Sequence, residues 1–246
     1  MLSRLHAKVC WLGALTILAV SSGAAHATLI PVSFDDFADG GFTFNSTNGS
    51  PAGADVTASV PGGKRSISFV NFGSTGSVTL DPSTRTLAFT SSDLGHISIG
   101  YGFKVVLPGV MQNDSGHQLN ADWTGYRGIR IHVLENSVRM KVSISLSTHN
   151  ASSSNSNFEI ELEDGQTGDL DILFSDFSPT NGGVDWTDVD YVNFTIYNRY
   201  VDSDWTIGGI ELLAVPEPGA LMLLLPAASV LALRRNRSRS PRSTQT

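Results

Sequence analysis

Between residues 138 and 147 apolar and polar side chains alternate without a break. Val138, Met140, Val142, Ile144 and Leu146 fall on one side, and Arg139, Lys141, Ser143, Ser145 and Ser147 on the other. A helix repeats its faces about every 3.6 residues and cannot sustain this pattern. A strand with one buried face can. The same period continues on both sides. Ile129, Ile131 and Val133 alternate with Arg130, His132 and Leu134, and Glu135-Asn136-Ser137 reads as a hairpin turn to the next strand. Phe158, Ile160 and Leu162 alternate with Glu159, Glu161 and Glu163, and Val192, Phe194 and Ile196 with Tyr191, Asn193, Thr195 and Tyr197. A last strand over 205–213 contains Gly208-Gly209, which marks a bulge or a close backbone approach. Earlier strands are expected at 66–71, 77–80, 86–90 and 102–107. Loops of low complexity are expected at 45–54, 148–157 and 178–183. No interior stretch shows sustained helical periodicity. Short strands divided by Gly, Ser and Asn turns predict an all-β chain, a single β-sandwich or jelly roll.

Both ends depart from this pattern. Arg4 and Lys8 precede an apolar stretch over 9–20, and Ala25-His26-Ala27 is a small-x-small site. This order predicts a signal peptide over 1–27, helical in its apolar part and cleaved after Ala27. Cys10 lies inside the apolar stretch, so the exported part, residues 28–214, has no cysteine and no disulfide or thiolate chemistry. Of 16 basic residues, seven lie in the two terminal segments, leaving 9. Of 23 acids only Glu217 does, leaving 22, so the exported domain is near −13. A domain this acidic repels nucleic acid and anionic lipid.

At the other end stand Val215-Pro216-Glu217-Pro218-Gly219, an apolar run over 220–233 and a basic cluster, Arg234, Arg235, Arg237 and Arg239. The prolines enforce an extended backbone. The apolar run, expected to be a short helix, falls short of the roughly 20 residues that span a bilayer, and arginines resist translocation. The three parts together resemble the PEP-CTERM sorting signal of exopolysaccharide-producing Gram-negative bacteria, over residues 215–239. The resemblance implies transient insertion in the inner membrane, recognition by an exosortase, and delivery to the cell surface or beyond. An ordinary tail anchor is the competing reading. Residues 240–246 are expected to be a disordered tail.

The domain between these ends carries a second resemblance. Ile30-Pro31-Val32-Ser33-Phe34-Asp35-Asp36-Phe37 and Asp122-Trp123-Thr124-Gly125-Tyr126-Arg127-Gly128-Ile129 resemble segments of galactose-binding-like jelly rolls. So do the segment 170–177 and the closing pair 188–192 and 205–212. That resemblance implies a β-sandwich of the kind used in carbohydrate-binding modules, adhesion domains and spacers. It also implies a structural calcium where first and last strands meet, for which Asp35, Asp36 and Glu211, with Asp39, are the oxygen donors available. Calcium takes six to eight oxygen ligands, part of them carbonyls.

The polar faces of the strands make the remaining candidate site. Arg130, His132, Arg139 and Lys141 are expected on one side of a hairpin, Glu159 and Glu161 beside them, and Tyr191, Asn193, Thr195 and Tyr197 as a third row. Such a groove would hydrogen-bond sugar hydroxyls. The bland alternative is a solvated face with cross-strand charge pairs. Trp123, Trp186 and Trp205 are either core residues or sugar-stacking platforms, and Trp186, in a Gly-Gly loop, is the one expected to be exposed. His96, His117, His132 and His149 form no paired metal spacing. No Gly-x-Ser-x-Gly elbow occurs, and Pro61-Gly62-Gly63-Lys64 reads as a turn. Paired carboxylates are expected by chance in so acidic a chain. The expectation is a non-catalytic surface or matrix protein that binds or embeds in exopolysaccharide. The alternatives are a structural component without a ligand pocket and a glycan-active enzyme.

Overall fold

The structure, a computed structural model, describes residues 29–215 apart from residues 48, 74, 149–153 and 199. The expected signal peptide, the helix and arginines of the tail, Pro216 to Gly219 and His149 lie outside the described residues. In chain order the strands are β1 (Ile30–Asp35), β2 (Phe42–Thr47), β3 (Ala52–Thr57), β4 (Lys64–Asn71), β5 (Thr75–Asp81), β6 (Thr86–Ser91), β7 (Gly95–Tyr101) and β8 (Phe103–Leu107). There follow β9 (Val110–Asn113), β10 (Tyr126–Asn136), β11 (Met140–Thr148), β12 (Ser154–Leu162), β13 (Gly168–Leu173), β14 (Ser178–Thr180), β15 (Tyr191–Asn198) and β16 (Ser203–Ala214). A single 3-10 turn, Phe174–Asp176, is the one helical element among them.

Two seven-stranded antiparallel sheets face each other. Sheet A runs β13-β10-β16-β6-β5-β2, with β1 also on β16, and sheet B runs β14-β12-β11-β15-β7-β4-β3. The long β16 keeps β10 on one edge and divides the other, β6 along Ser203–Ile207 and β1 along Ile210–Ala214. The change of partner falls at Gly208-Gly209, where β16 carries one extra residue opposite His132 of β10. Gly209 has φ 139°, closed to ordinary side chains.

The alternating apolar side chains seen in the sequence meet between the sheets. Met140, Val142, Ile144 and Leu146 of β11, Phe194 and Ile196 of β15, and Ile97 and Ile99 of β7 pack against Ile129, Ile131, Leu87 and Phe89 of sheet A, all buried. Phe89 stacks on Trp205 at 5.2 Å and meets Phe69 edge-on at 5.7 Å. Each such side chain contributes about 1.5–3 kcal/mol by leaving water.

One polar tie crosses the core. Arg65, on the inner face of β4, sends Nε to Asp35 Oδ2 (2.6 Å) and a terminal nitrogen to Oδ1 (2.5 Å). Tyr101, beside Arg65 on β7, donates its hydroxyl to the same carboxylate. The guanidinium also lies over the Phe37 ring at 5.3 Å. Burial and the Asp35 charge push the Tyr101 phenol well above its usual range. A bulge between Ser33 and Asp35 turns this carboxylate into the core.

Two expectations are corrected. Glu135-Asn136-Ser137 is not a hairpin turn: β10 lies in sheet A and β11 in sheet B, so the chain crosses between sheets there. Asn136 anchors the corner, donating Nδ2 to Glu163 O at 2.8 Å. Second, the segments expected as loops at 45–54 and 178–183 contain β3 residues and β14, and β12 begins inside 148–157. β3 and β14 are edge strands, and β12 lies next to the edge, so their Ser, Thr and Asn side chains need no apolar partner on the outer face. The side chains named as calcium donors each have another partner. Asp35 is occupied by Arg65 and Tyr101, Asp36 faces Arg85 at 3.3 Å, and Glu211 faces His132 at 3.2 Å. Among the described residues no three metal-ligating side chains gather.

Candidate functional site

The outer face of sheet B is ordered in rows by its register. Val70, His96, Tyr197, Lys141 and Glu161 lie side by side across β4, β7, β15, β11 and β12. The next row is Ser68, Ser98, Thr195, Ser143 and Glu159, and the one after it Ser66, Gly100, Asn193, Ser145 and Asn157. Strands lie about 4.8 Å apart, so each row is roughly 19 Å long. The alternate residues of the same strands are the buried core, which assigns these rows to the outside.

The first row is aromatic. Phe72, just past β4, is 68% exposed. Its ring lies 6.0 Å from His96, and His96 lies 5.4 Å from Tyr197, itself 36% exposed. Lys141 extends the band, its ammonium 5.8 Å from the Tyr197 ring and 2.5 Å from Glu159. Partial burial holds the His96 imidazole below the usual histidine range, so it is neutral at pH 7. The two rows beside this band consist of hydroxyls, two amides, a glycine and, on β12, Glu159; Ser66, Ser68, Ser98 and Thr195 are buried, the last two hydrogen-bonded at 3.0 Å. Beside the aromatic edge, Ser143, Ser145 and Asn193 are the half-buried polar residues of the floor.

A wall bounds the floor at the β4 end. The hairpin β8–β9 folds over β3 and β4, and Phe103 lies on Gly100 so closely that a Cβ there would meet its ring at 2.8 Å. Asp55 accepts the Val105 N–H at 2.9 Å. Lys64 joins the base of the hairpin through Asp114 at 2.6 Å. Its ammonium holds the Asp114 carboxyl down at about 2.

The residues expected to share one groove are divided by the two-sheet arrangement. Lys141, Glu159, Glu161, Asn193, Thr195 and Tyr197 do share the outer face of sheet B. Tyr191 is on that face too but is 2% exposed, its hydroxyl accepting from Gln118 Nε2 at 3.0 Å. Arg130 and His132 lie on the opposite side of the molecule, on sheet A. There Arg130 makes a two-pronged pair with Asp171 at 2.6 and 2.9 Å, and His132 Nδ1 meets Asp169 at 2.7 Å. Arg139 is in the corner between the sheets, paired with Glu163 at 2.7 Å. Alternation states which side of a strand is wet, but not which sheet owns the strand. Phe72 and His96 were not among the expected sugar contacts. Phe72 stands alone after a strand, and nothing in the linear pattern marks it as exposed.

The tryptophans separate as well. Trp123 and Trp205 are buried, while Trp186 is half-buried. Trp186 stacks on Phe174 at 4.3 Å, and Phe174 on Trp123 at 5.7 Å. With Tyr126, Arg127 and Leu29 they line a pocket of about 570 Å3 at one end of the sandwich.

No family model and no curated protein matches this chain. Among solved structures it is similar to the family 11 carbohydrate-binding module from Clostridium thermocellum in complex with a β-1,3-1,4-mixed-linked tetrasaccharide. The identity is 14% and the TM-score 0.40, over 76% of this chain and 97% of that one. The family 11 module of the cellulosomal cellulase Lic26A-Cel5E from Clostridium thermocellum is similar at 14% identity and TM-score 0.41, over 76% and 95%. An agarase, AgWH50C, is similar at 12% identity and TM-score 0.40, over 61% of this chain and 22% of that one.

Proposed function

We propose that this is an exported, non-catalytic surface protein whose β-sandwich binds polysaccharide along the outer face of sheet B. The observation that carries the reading is the band Phe72–His96–Tyr197, with Phe72 and Tyr197 exposed, beside the half-buried Ser143 and Ser145. Flat aromatic faces receive the apolar faces of sugar rings, and the half-buried Ser143 and Ser145 beside them present hydroxyls to the sugar's own. The signal peptide over 1–27 and the tail over 215–239 support an extracytoplasmic address, with exosortase processing of a membrane-held precursor. The polymer this reading favours is the exopolysaccharide of the producing cell.

The test is affinity electrophoresis of residues 28–215 in gels containing that exopolysaccharide. Retardation that Tyr197→Ala and Phe72→Ala abolish supports the reading. Equal mobility of parent and variants in every gel overturns it and leaves a structural matrix component.

A further inference from the structure

The last strand runs directly into the aromatic pocket. Ala214 is paired with Ile30 on one side and with Tyr126 on the other. Val215 then donates its N–H to Gly125 O at 3.1 Å. The neighbours of those partners, Leu29 on one side and Thr124, Tyr126 and Arg127 on the other, line the 570 Å3 cavity. The chain therefore leaves β16 between two walls of the pocket. The next residues are Pro216-Glu217-Pro218. A residue before proline is restricted to extended backbone, so Val215 prolongs the direction of the strand. Three residues at about 3.1 Å each reach roughly 9 Å further.

The pocket has the chemistry to receive that segment. The Trp186–Phe174 stack is an aromatic surface of the sort that takes proline rings, which bring little conformational freedom to lose. Arg127 adds a charge argument. Lys64, Arg65, Arg85, Arg130, Arg139 and Lys141 each hold a carboxylate. Exposed Arg127, at the pocket rim, shares with Lys104 of the β8–β9 hairpin the lack of an ion pair with another described residue, and of the two it is Arg127 that stands beside the end of β16.

We propose that the pocket is the docking site for Pro216-Glu217-Pro218 of the same chain, with the Glu217 carboxylate on Arg127 and the prolines against Trp186. Tethering so close raises the effective concentration of the segment into the millimolar range. A processing enzyme then meets the motif held against a folded domain, and must read it there or displace it. The pocket lies apart from the polysaccharide face on sheet B, and the inference does not depend on that reading.

The experiment is acrylamide quenching of tryptophan fluorescence in the full chain in detergent micelles, in a Trp11→Phe background. Trp123 and Trp205 are 2% and 1% exposed, so Trp186 supplies the quenchable signal. Replacing Pro216 and Pro218 by Gly with Glu217→Lys leaves the folded domain untouched, and should raise the quenching constant about twofold or more as the tethered segment vacates the site. Arg127→Gln should give the same rise. Parent-level quenching in both variants overturns the proposal. So does quenching that ignores the tail and falls only on adding a neutral oligosaccharide, which would make the pocket a saccharide site instead.

Discussion

On the outer face of sheet A, Arg130 is gripped by Asp171 and Asp169, and His132 sits between Asp169 and Glu211. Ser77 and Thr90, on neighbouring strands, bond each other at 2.7 Å, and Thr43 and Thr79 at 3.3 Å. On the outer face of sheet B the charges gather toward β12, and an aromatic band flanks a floor of small polar groups. Both faces have strands of alternating pattern, so alternation does not distinguish them. The difference is in the cross-strand partners. When an arginine faces an aspartate, the sheet meets its own demand. On sheet B, Ser98 and Thr195 are buried against each other, and what stays turned toward solvent is the apolar area of Phe72 and Tyr197. A site on a sheet is thus defined by register, one level above the sequence of any single strand.

The strongest way to break this comparison is to loosen the two sheets from each other. Arg65→Met leaves the Asp35 carboxylate buried without its cation and should cost about 3–5 kcal/mol, read as a fall in the urea midpoint. Both outer faces should fail together. A smaller loss would mean that water reaches the tie.

Next in size is Tyr197→Ala. Binding should weaken about tenfold, or ~1.4 kcal/mol, while the melting temperature hardly moves. A loss of stability in place of binding would reduce the aromatic band to a packing feature. On sheet A, His132→Ala should leave binding unchanged and shift stability by about 1 kcal/mol or less, as partly exposed pairs do. Loss of binding there would reverse the assignment of the two faces.

The smallest effects are in pH. Burial lowers the His96 pKa in the folded state, so below about 6.5 the unfolded chain takes up the proton first. Stability should decline as pH drops through that value, and His96→Gln should remove this decline. Asp114, held at about 2 by Lys64, contributes stability that is present above about pH 3.9 and disappears as pH falls toward 2. Lys64→Gln should flatten that acid limb, followed by circular dichroism.

Much of the architecture was legible. The period over 138–147 became β11 with its apolar side buried, and the bulge foreseen at Gly208-Gly209 is where β16 exchanges β6 for β1. Sheet membership was not legible. A three-residue link serves equally as a hairpin or as a corner, and here Ser137 donates its N–H to Asp204 O at 2.9 Å, which fixes the corner. The same ambiguity placed Arg130 and His132 beside Lys141. Asp35 misled for another reason. Its charge suggested a calcium ligand, but the bulge before it carries the carboxylate inward to Arg65, and nothing local to 30–37 shows an arginine waiting on another strand.

The pairing of β1 with β16 has a consequence for the order of events in the cell. Ile30 is opposite Ala214, so the first strand to emerge from a ribosome or a translocon needs the last one as its neighbour. Sheet A cannot close while the carboxyl-terminal strand is still in transit, and contacts this distant in sequence form slowly. Until then the N-terminal strand presents unpaired edges, the condition under which chains aggregate or recruit chaperones. Folding of this domain is therefore gated by completion of its synthesis.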